Sequence, residues 1–260
     1  MYRIHFNESK TIDENITPED IDIDFFEVKQ TLCPDFWDND EFDINARRNL
    51  LVIARDFIEA LDIKEYVYDI VLTGSLANYN WDEDNSDIDL HVVVDFSEIS
   101  DDIRLLKKFF DSERKNWNNL HSDITIYGYP VEIYVQDKKE KHKSSGVYSL
   151  LDDKWIKKPS KEYLDDNDTD FDNIQDVTSD YMNKIDDLVA EFEYGDNPES
   201  IYNKAGNLFD DIKEMRKAGL DTRNPEMSDG NLIFKSLRRS GYIEKLLDIR
   251  TKAYDLLNSL

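Results

Sequence analysis

The spacing of apolar positions changes period twice along this chain. From Asp43 onward, INARRNLLVIARDFIEAL places Ile44, Leu51, Ala54, Phe57 (or Ile58) and Leu61 on one stripe. That spacing predicts an amphipathic helix with Asp43 as its N-cap. The period then shortens. YVYDIVLT (66–73) and DIDLHVVVDF (87–96) read as strands, separated by a polar loop that opens on Gly74 and Ser75. A second helix is expected over 101–120, with Ile103, Leu106, Phe109 and Phe110 as its apolar face. ITIYGYPVEIYVQD (124–137) reads as two short strands around Gly128 and Pro130. Helix, strand, strand, helix and strand in this order predict a small α+β (or α/β) layer structure.

Helical period returns in the tail. Ile174, Val177, Tyr181, Ile185, Leu188 and Phe192 step by three and four, as do Ile201, Ala205, Leu208, Ile212 and Met215. A third helix is expected after Asn231, with Leu237, Ile243, Leu247 and Leu257 among its apolar positions. The layout read from these patterns is an acidic N-terminal arm or set of short strands (1–42), an α+β core (43–160), a polar linker (161–173) and a C-terminal helical domain (174–260).

Charge narrows the range of partners. The 260 residues carry 58 Asp and Glu against 32 Lys and Arg, a net charge of −26. Affinity for phosphate backbones comes largely from Lys and Arg, so nonspecific binding to DNA or to anionic membranes is not expected. Two basic islands break the acidic field: 138–161 holds eight Lys against three acids, and 235–252 holds six Lys and Arg against two. In the second, Lys235 and Arg238 fall on one helical face. Cys33 is the sole cysteine, and neither a secretory leader nor an apolar membrane span is read, so a cytoplasmic location is expected.

Acid-x-acid pairs carry little information in so acidic a chain, since chance alone supplies about 13 of them. Context singles out one. In VLTGSLANYNWDEDNSDIDLHVVV a strand ends on Gly74-Ser75, and Asp87-Ile88-Asp89-Leu90 opens the next. Alternate strand residues share a face, so Asp87 and Asp89 point together while Ile88 and Leu90 enter the core. Paired carboxylates suit a hard divalent cation, and their mutual repulsion disfavours leaving both charged without one. Gly74 permits close approach of a ligand, and Ser75 offers a hydroxyl together with the free N–H groups of any helix that LANY begins. In VEIYVQ, Val131, Ile133 and Val135 face the core, whereas Glu132, Tyr134 and Gln136 face away, so Glu132 is a candidate third carboxylate. His91 shares the face of Asp89. An EF-hand starting at Asp82 is excluded, because it needs Gly and Glu where Asp87 and Val93 stand.

TGSLANYNW…SDIDLHVVVDF…VEIYVQD resembles the DNA polymerase beta-type nucleotidyltransferase superfamily, and its wording is similar to nucleotidyltransferases predicted from tailed-phage genomes. The resemblance implies a polymerase beta-type core with a short mixed sheet, followed by C-terminal helices. It implies that Asp87 and Asp89 hold two Mg²⁺ (or Mn²⁺) ions, that Glu132 holds the one activating an acceptor hydroxyl, and that Gly74 and Ser75 bind the β- and γ-phosphates of a nucleoside triphosphate. One basic island, through Lys235 and Arg238, is expected to meet the triphosphate or the acceptor. The acceptor itself is left open among protein, small molecule, nucleotide and short RNA. The alternatives are a catalytically silent nucleotide- or protein-binding module of the same fold, and an acidic mimic of nucleic acid.

Overall fold

The computed structural model describes residues 26, 28–161, 169–195, 197–222 and 225–259. Most of the expected N-terminal arm (1–25) and the centre of the expected linker (162–168) lie outside the described residues. The chain divides into two compact units, Glu27–Asp165 and a second made of Met1–Phe26 with Asp166–Leu260.

The first unit is a mixed α+β structure. Two short strands, β1 (Trp37–Asp38) and β2 (Glu41–Phe42), pair as a hairpin, and α1 (Ile44–Leu61) follows. Asp43 caps this helix, its carboxylate accepting from the N–H groups of Asn45 and Ala46. The buried stripe is Ala46, Leu50, Ala54, Phe57 and Ile58. Ile44 is 54% exposed, so the stripe begins two residues later than expected and contains Leu50 in place of Leu51.

The main sheet holds β3 (Val67–Thr73), β4 (Ile88–Val94), β5 (Thr125–Ile126), β6 (Tyr129–Asp137), β7 (Val147–Ser149) and β8 (Lys154–Lys157), in the order β5-β6-β4-β3-β7-β8. All pairs are antiparallel except β4 with β6, which run parallel and are joined through α2 (Phe96–Ile99), α3 (Ile103–Leu120) and β5. The single helix expected over 101–120 is therefore α3, preceded by the separate turn α2. Only Leu106 and Phe110 of its expected apolar face are buried; Ile103 and Phe109 are 39% and 47% exposed.

One face of the sheet packs the main core. Ile88, Leu90, Val92 and Val94 of β4 join Ile133 of β6, Leu50 and Phe57 of α1, and an aromatic group of Phe36, Trp37, Phe42 and Tyr148. Tyr148 is edge-on to Trp37 with ring centroids 5.0 Å apart and donates to Asp153 at 2.9 Å. It is a core residue. Beyond the short β5, the outer edge of β6 is closed by a side chain: Asn118 of α3 accepts from the Ile133 N–H at 3.1 Å, standing in for a neighbouring strand.

Among its described residues the second unit contains four α-helices, α4 (Phe171–Glu193), α5 (Pro198–Leu220), α6 (Asp229–Arg239) and α7 (Tyr242–Asn258). Asn197 caps α5, with Pro198 in its first turn. Thr178 and Met182 are buried where Val177 and Tyr181 were expected. The third expected helix is two, separated at Ser240–Gly241, and the break rotates Leu246 inward while Leu247 and Leu257 stay 37% and 42% exposed. Among the described residues no helix is long and apolar enough to cross a membrane.

Candidate functional site

The site is set by where strand alternation begins. Ile88 and Leu90 are fully buried, so Asp89 between them emerges on the opposite face, half-buried, with Asp87 one residue before the strand. The parallel register of β4 and β6 sets Asp89 opposite Glu132 and His91 opposite Tyr134. On its other side Asp89 is opposite Thr73, the last residue of β3. Asp89 thus has Glu132 on one flank and the end of β3 on the other, and the chain turns at Gly74 immediately after.

That turn is built around the carboxylate. Gly74 has φ 74° and ψ −160°, a region occupied almost only by glycine. A Cβ placed there would lie 1.9 Å from Asp89 Oδ2. Ser75 opens a single 3-10 turn, Ser75–Ala77, and the chain extends again at Asn78. No longer helix follows, so the row of helix N–H groups expected as a phosphate cradle is not formed there. The Ser75 hydroxyl instead donates to Ser86 Oγ at 2.8 Å, and Ser86 Oγ accepts from the Asp82 N–H at 2.9 Å. These bonds tie the Gly-Ser turn to the loop that delivers Asp87. Residues 144–146 lie against the same turn: Asn78 Nδ2 donates to Ser145 Oγ at 2.5 Å, and a Cβ on Gly146 would lie 1.7 Å from the Ala77 carbonyl oxygen. Neither Ser86 nor Ser145 was singled out in the sequence. Serine one residue before an Asp-x-Asp was the available signal for Ser86; Ser145 had none.

Tyr134 adds a polar layer beside the acids. Its phenol donates to Glu132 Oε2. Burial pushes the phenol well above its ordinary range, followed by the negative charges of Asp89 and Glu132, with Asp87 contributing, so all three acids act on one hydroxyl. Arg114 of α3 lies over the Tyr134 ring, 4.7 Å from its centroid, and the His91 ring is 4.9 Å away, tilted by 30°. His91 Nδ1 is 2.8 Å from Gln136 Oε1. Burial pushes His91 down to about 4, so the imidazole is neutral near pH 7 and acts as packing and hydrogen-bonding material.

The donor chemistry fits a hard divalent cation in part. Asp87, Asp89 and Glu132 supply oxygen only, at the mouth of adjacent strands. Yet among the described residues no group of three or more His, Cys, Asp or Glu side chains is gathered closely enough to hold a metal ion.

Lys235 and Arg238 lie on α6 of the helical unit, Lys235 half-buried and Arg238 exposed. The first basic island is largely engaged within its own unit. Lys138 pairs with Asp95 at 2.7 Å, Lys154 with Asp152 at 2.9 Å and Lys158 with Asp40 at 2.5 Å, while Lys157 donates to the Ser144 carbonyl at 2.9 Å.

No curated protein matches the chain. Residues 54–154 match the family model described as a nucleotidyltransferase domain. The matched stretch holds Gly74, Ser75, Asp87, Asp89 and Glu132 and all but the end of the main sheet. Over these residues the chain is similar to nucleotidyltransferase domains, and the match supports the polymerase beta-like superfamily and, with it, a general function of nucleotidyl transfer.

Proposed function

We propose that the protein is a metal-dependent nucleotidyltransferase that moves a nucleoside monophosphate from a nucleoside triphosphate to an acceptor hydroxyl and releases pyrophosphate. The observation that carries this reading is the placement of Asp89 beside Glu132, in parallel register, against the Gly74 turn of a nucleotidyltransferase-like segment. In it, Asp87 and Asp89 would hold two Mg²⁺ or Mn²⁺ ions and Glu132 would help hold the one that activates the acceptor hydroxyl. Such ions, when bound, neutralise charge on the transferring phosphate and increase the acidity of the acceptor hydroxyl. Gly74 lets the backbone approach the β- and γ-phosphates, and Ser75 turns its hydroxyl proton from Ser86 to them, Ser86 donating in return to Ser75 Oγ. The acceptor oxygen attacks the α-phosphorus and pyrophosphate leaves. The chain contributes position and charge rather than a covalent intermediate.

Lys235 and Arg238 are proposed to meet the triphosphate or the acceptor. If Lys235→Ala with Arg238→Ala leaves the nucleotide Kd unchanged and acceptor use intact, that role is lost. The net charge of −26 favours a protein, a small molecule, a nucleotide or a short RNA as acceptor over long polynucleotides. The single cysteine and the resemblance to tailed-phage sequences favour work in a cytoplasm, that of a host if the source is viral.

The test is incubation with each labelled nucleoside triphosphate and Mg²⁺ or Mn²⁺, reading pyrophosphate and labelled products, with Asp89→Ala as control. Metal-dependent turnover that Asp89→Ala abolishes is expected. A second reading, a silent module that binds nucleotide without turnover, draws on the bond from Tyr134 to Glu132. Nucleotide binding by calorimetry with no pyrophosphate from any acceptor would favour it.

A further inference from the structure

The two flanks of Asp89 differ in kind. One is the end of β3 and the Gly74 turn, and the other is Glu132 of β6. Beyond Glu132 comes α3, held to the edge of β6 by Asn118, which accepts from the Ile133 N–H at 3.1 Å. One helical turn before Asn118, the Arg114 guanidinium lies over the Tyr134 ring, 4.7 Å from its centroid. The phenol of that ring donates to Glu132, so one aromatic ring spans the gap between the guanidinium and the carboxylate. Arg114 is half-buried, and its Nε is buried with no hydrogen-bond partner among the described residues. In a chain with 58 acids, no carboxylate among the described residues is within ion-pair distance of it.

We propose that Arg114 determines acceptor specificity, and that the acceptor is a small phosphomonoester, a free nucleotide or a sugar phosphate, whose phosphate meets this guanidinium while its hydroxyl lies at Glu132. This rests on the nucleotidyl-transfer reading of the site and narrows the acceptor to a chemical class. In that reading the triphosphate takes the Gly74 flank, so the acceptor approaches from the Glu132 flank, beside Arg114. Stacking over Tyr134 uses the face of the guanidinium and leaves its edge N–H groups for an anion. Two parallel N–H bonds from that edge match a phosphate and give a neutral hydroxyl compound no equivalent. The net charge of −26 repels anions in general, so an anionic acceptor needs a local cation of this kind. In the reaction the acceptor hydroxyl oxygen bonds the α-phosphorus, pyrophosphate leaves, the hydroxyl proton is released, and the acceptor keeps its own phosphate.

The experiment uses the full chain with Mg²⁺ and needs no turnover. Calorimetry first finds which α,β-methylene nucleoside triphosphate binds. With that analogue saturating, the Kd of AMP is compared with that of adenosine, and the Kd of ribose 5-phosphate with that of ribose. At least one phosphorylated compound is expected to bind about tenfold tighter than its partner, the equivalent of one charge-assisted hydrogen bond. A preference for AMP alone points to a nucleotide acceptor, and a preference in both pairs to the shared sugar phosphate. Arg114→Gln is expected to bring the ratio to about one, and Arg114→Lys to keep part of it, since lysine retains the charge without the fork. Each ratio compares two ligands on the same protein, so a general loss of stability does not produce this change. A ratio near one in the unmodified protein, or a full ratio in Arg114→Gln, overturns the inference while the nucleotidyl-transfer reading stands. Loss of analogue affinity in Arg114→Gln would assign the guanidinium to the triphosphate and overturn it equally. Binding of no analogue removes the nucleotidyl-transfer reading, and this inference with it.

Discussion

Asp89 Oδ2 lies where a side chain on Gly74 would begin: a Cβ there would be 1.9 Å away. The backbone turn that ends β3 and the carboxylate that projects from β4 are therefore one packing unit. Gly74→Ala would face two separate obstacles. The backbone at φ 74° and ψ −160° costs a residue with a Cβ about 1–3 kcal/mol, and the methyl group displaces the carboxylate. The expected outcome is a lower unfolding temperature by circular dichroism and a loss of turnover of about a hundredfold, the scale of a displacement near 1 Å in a reacting centre. Full activity in Gly74→Ala would show that Asp89 is not held by this turn.

The register of β6 beside β4 depends on its outer edge as well as its inner one. Asn118 accepts from the Ile133 N–H, and Ile133 follows Glu132 directly. Asn118→Ala leaves that peptide group without its partner, which costs about 1–3 kcal/mol where water cannot replace it. Urea unfolding should report the loss. Because Glu132 lies next to the released peptide, turnover should fall by more than the folded fraction does.

Leu50→Ala and Ile44→Ala test the helix stripe. Leu50 is fully buried, so its truncation is expected to cost about 2–5 kcal/mol, whereas Ile44 is 54% exposed and its truncation should stay within about 0.5 kcal/mol. Periodicity alone predicts a large effect at Ile44, so the pair of measurements separates the pattern from the packing.

These cases show how far the sequence was legible. Element type and order were readable because strand and helix periods differ, and the Asp43 cap was readable because its side chain bonds locally. Which side of a helix is buried was not, because an apolar side chain at a helix end, such as Ile44 or Leu257, satisfies the period without meeting a partner. Asp89 and Glu132 were legible as residues that share a sheet face. Their adjacency was not, since register between strands joined through α2 and α3 depends on contacts distant in sequence. The bond from Tyr134 to Glu132 was equally hidden: alternation put both on one face and could not say that one would occupy the other.

Asp95, at the end of β4, is the titrating group best placed to report on this sheet. Lys138 and Ser97 hold its carboxyl well below its ordinary value of about 3.9, with the Ser97 N–H and Lys139 adding to the effect. A carboxyl depressed on folding stabilises the native state above its unfolded value, and that contribution disappears as the pH falls through the native value. Asp95→Asn should therefore lower the unfolding temperature at pH 7. The gap from the unmodified protein should begin to narrow near pH 4 and continue narrowing as the pH falls further. A gap independent of pH between 7 and 2 would mean that capping of α2, rather than charge, is the contribution of this residue.

Ser86 tests whether the Gly-Ser turn is oriented or merely present. Its Oγ accepts from both the Ser75 hydroxyl and the Asp82 N–H, so Ser86→Ala removes a single atom that links the turn to the loop leading into Asp87. The Ser75 hydroxyl would then be free to rotate, and the strand register that places Asp89 beside Glu132 would be untouched. If Ser75 turns its proton to a phosphate while Ser86 donates in return to Ser75 Oγ, kcat/KM for the nucleoside triphosphate should fall about tenfold, or about 1.4 kcal/mol of transition-state stabilisation. Ser75→Ala should cost at least as much, and the double variant no more than Ser75→Ala alone, because Ser86 acts through Ser75. Additive losses in the double variant would mean that Ser86 works through Asp82 and the loop instead, and that the hydroxyl of Ser75 needs no guide.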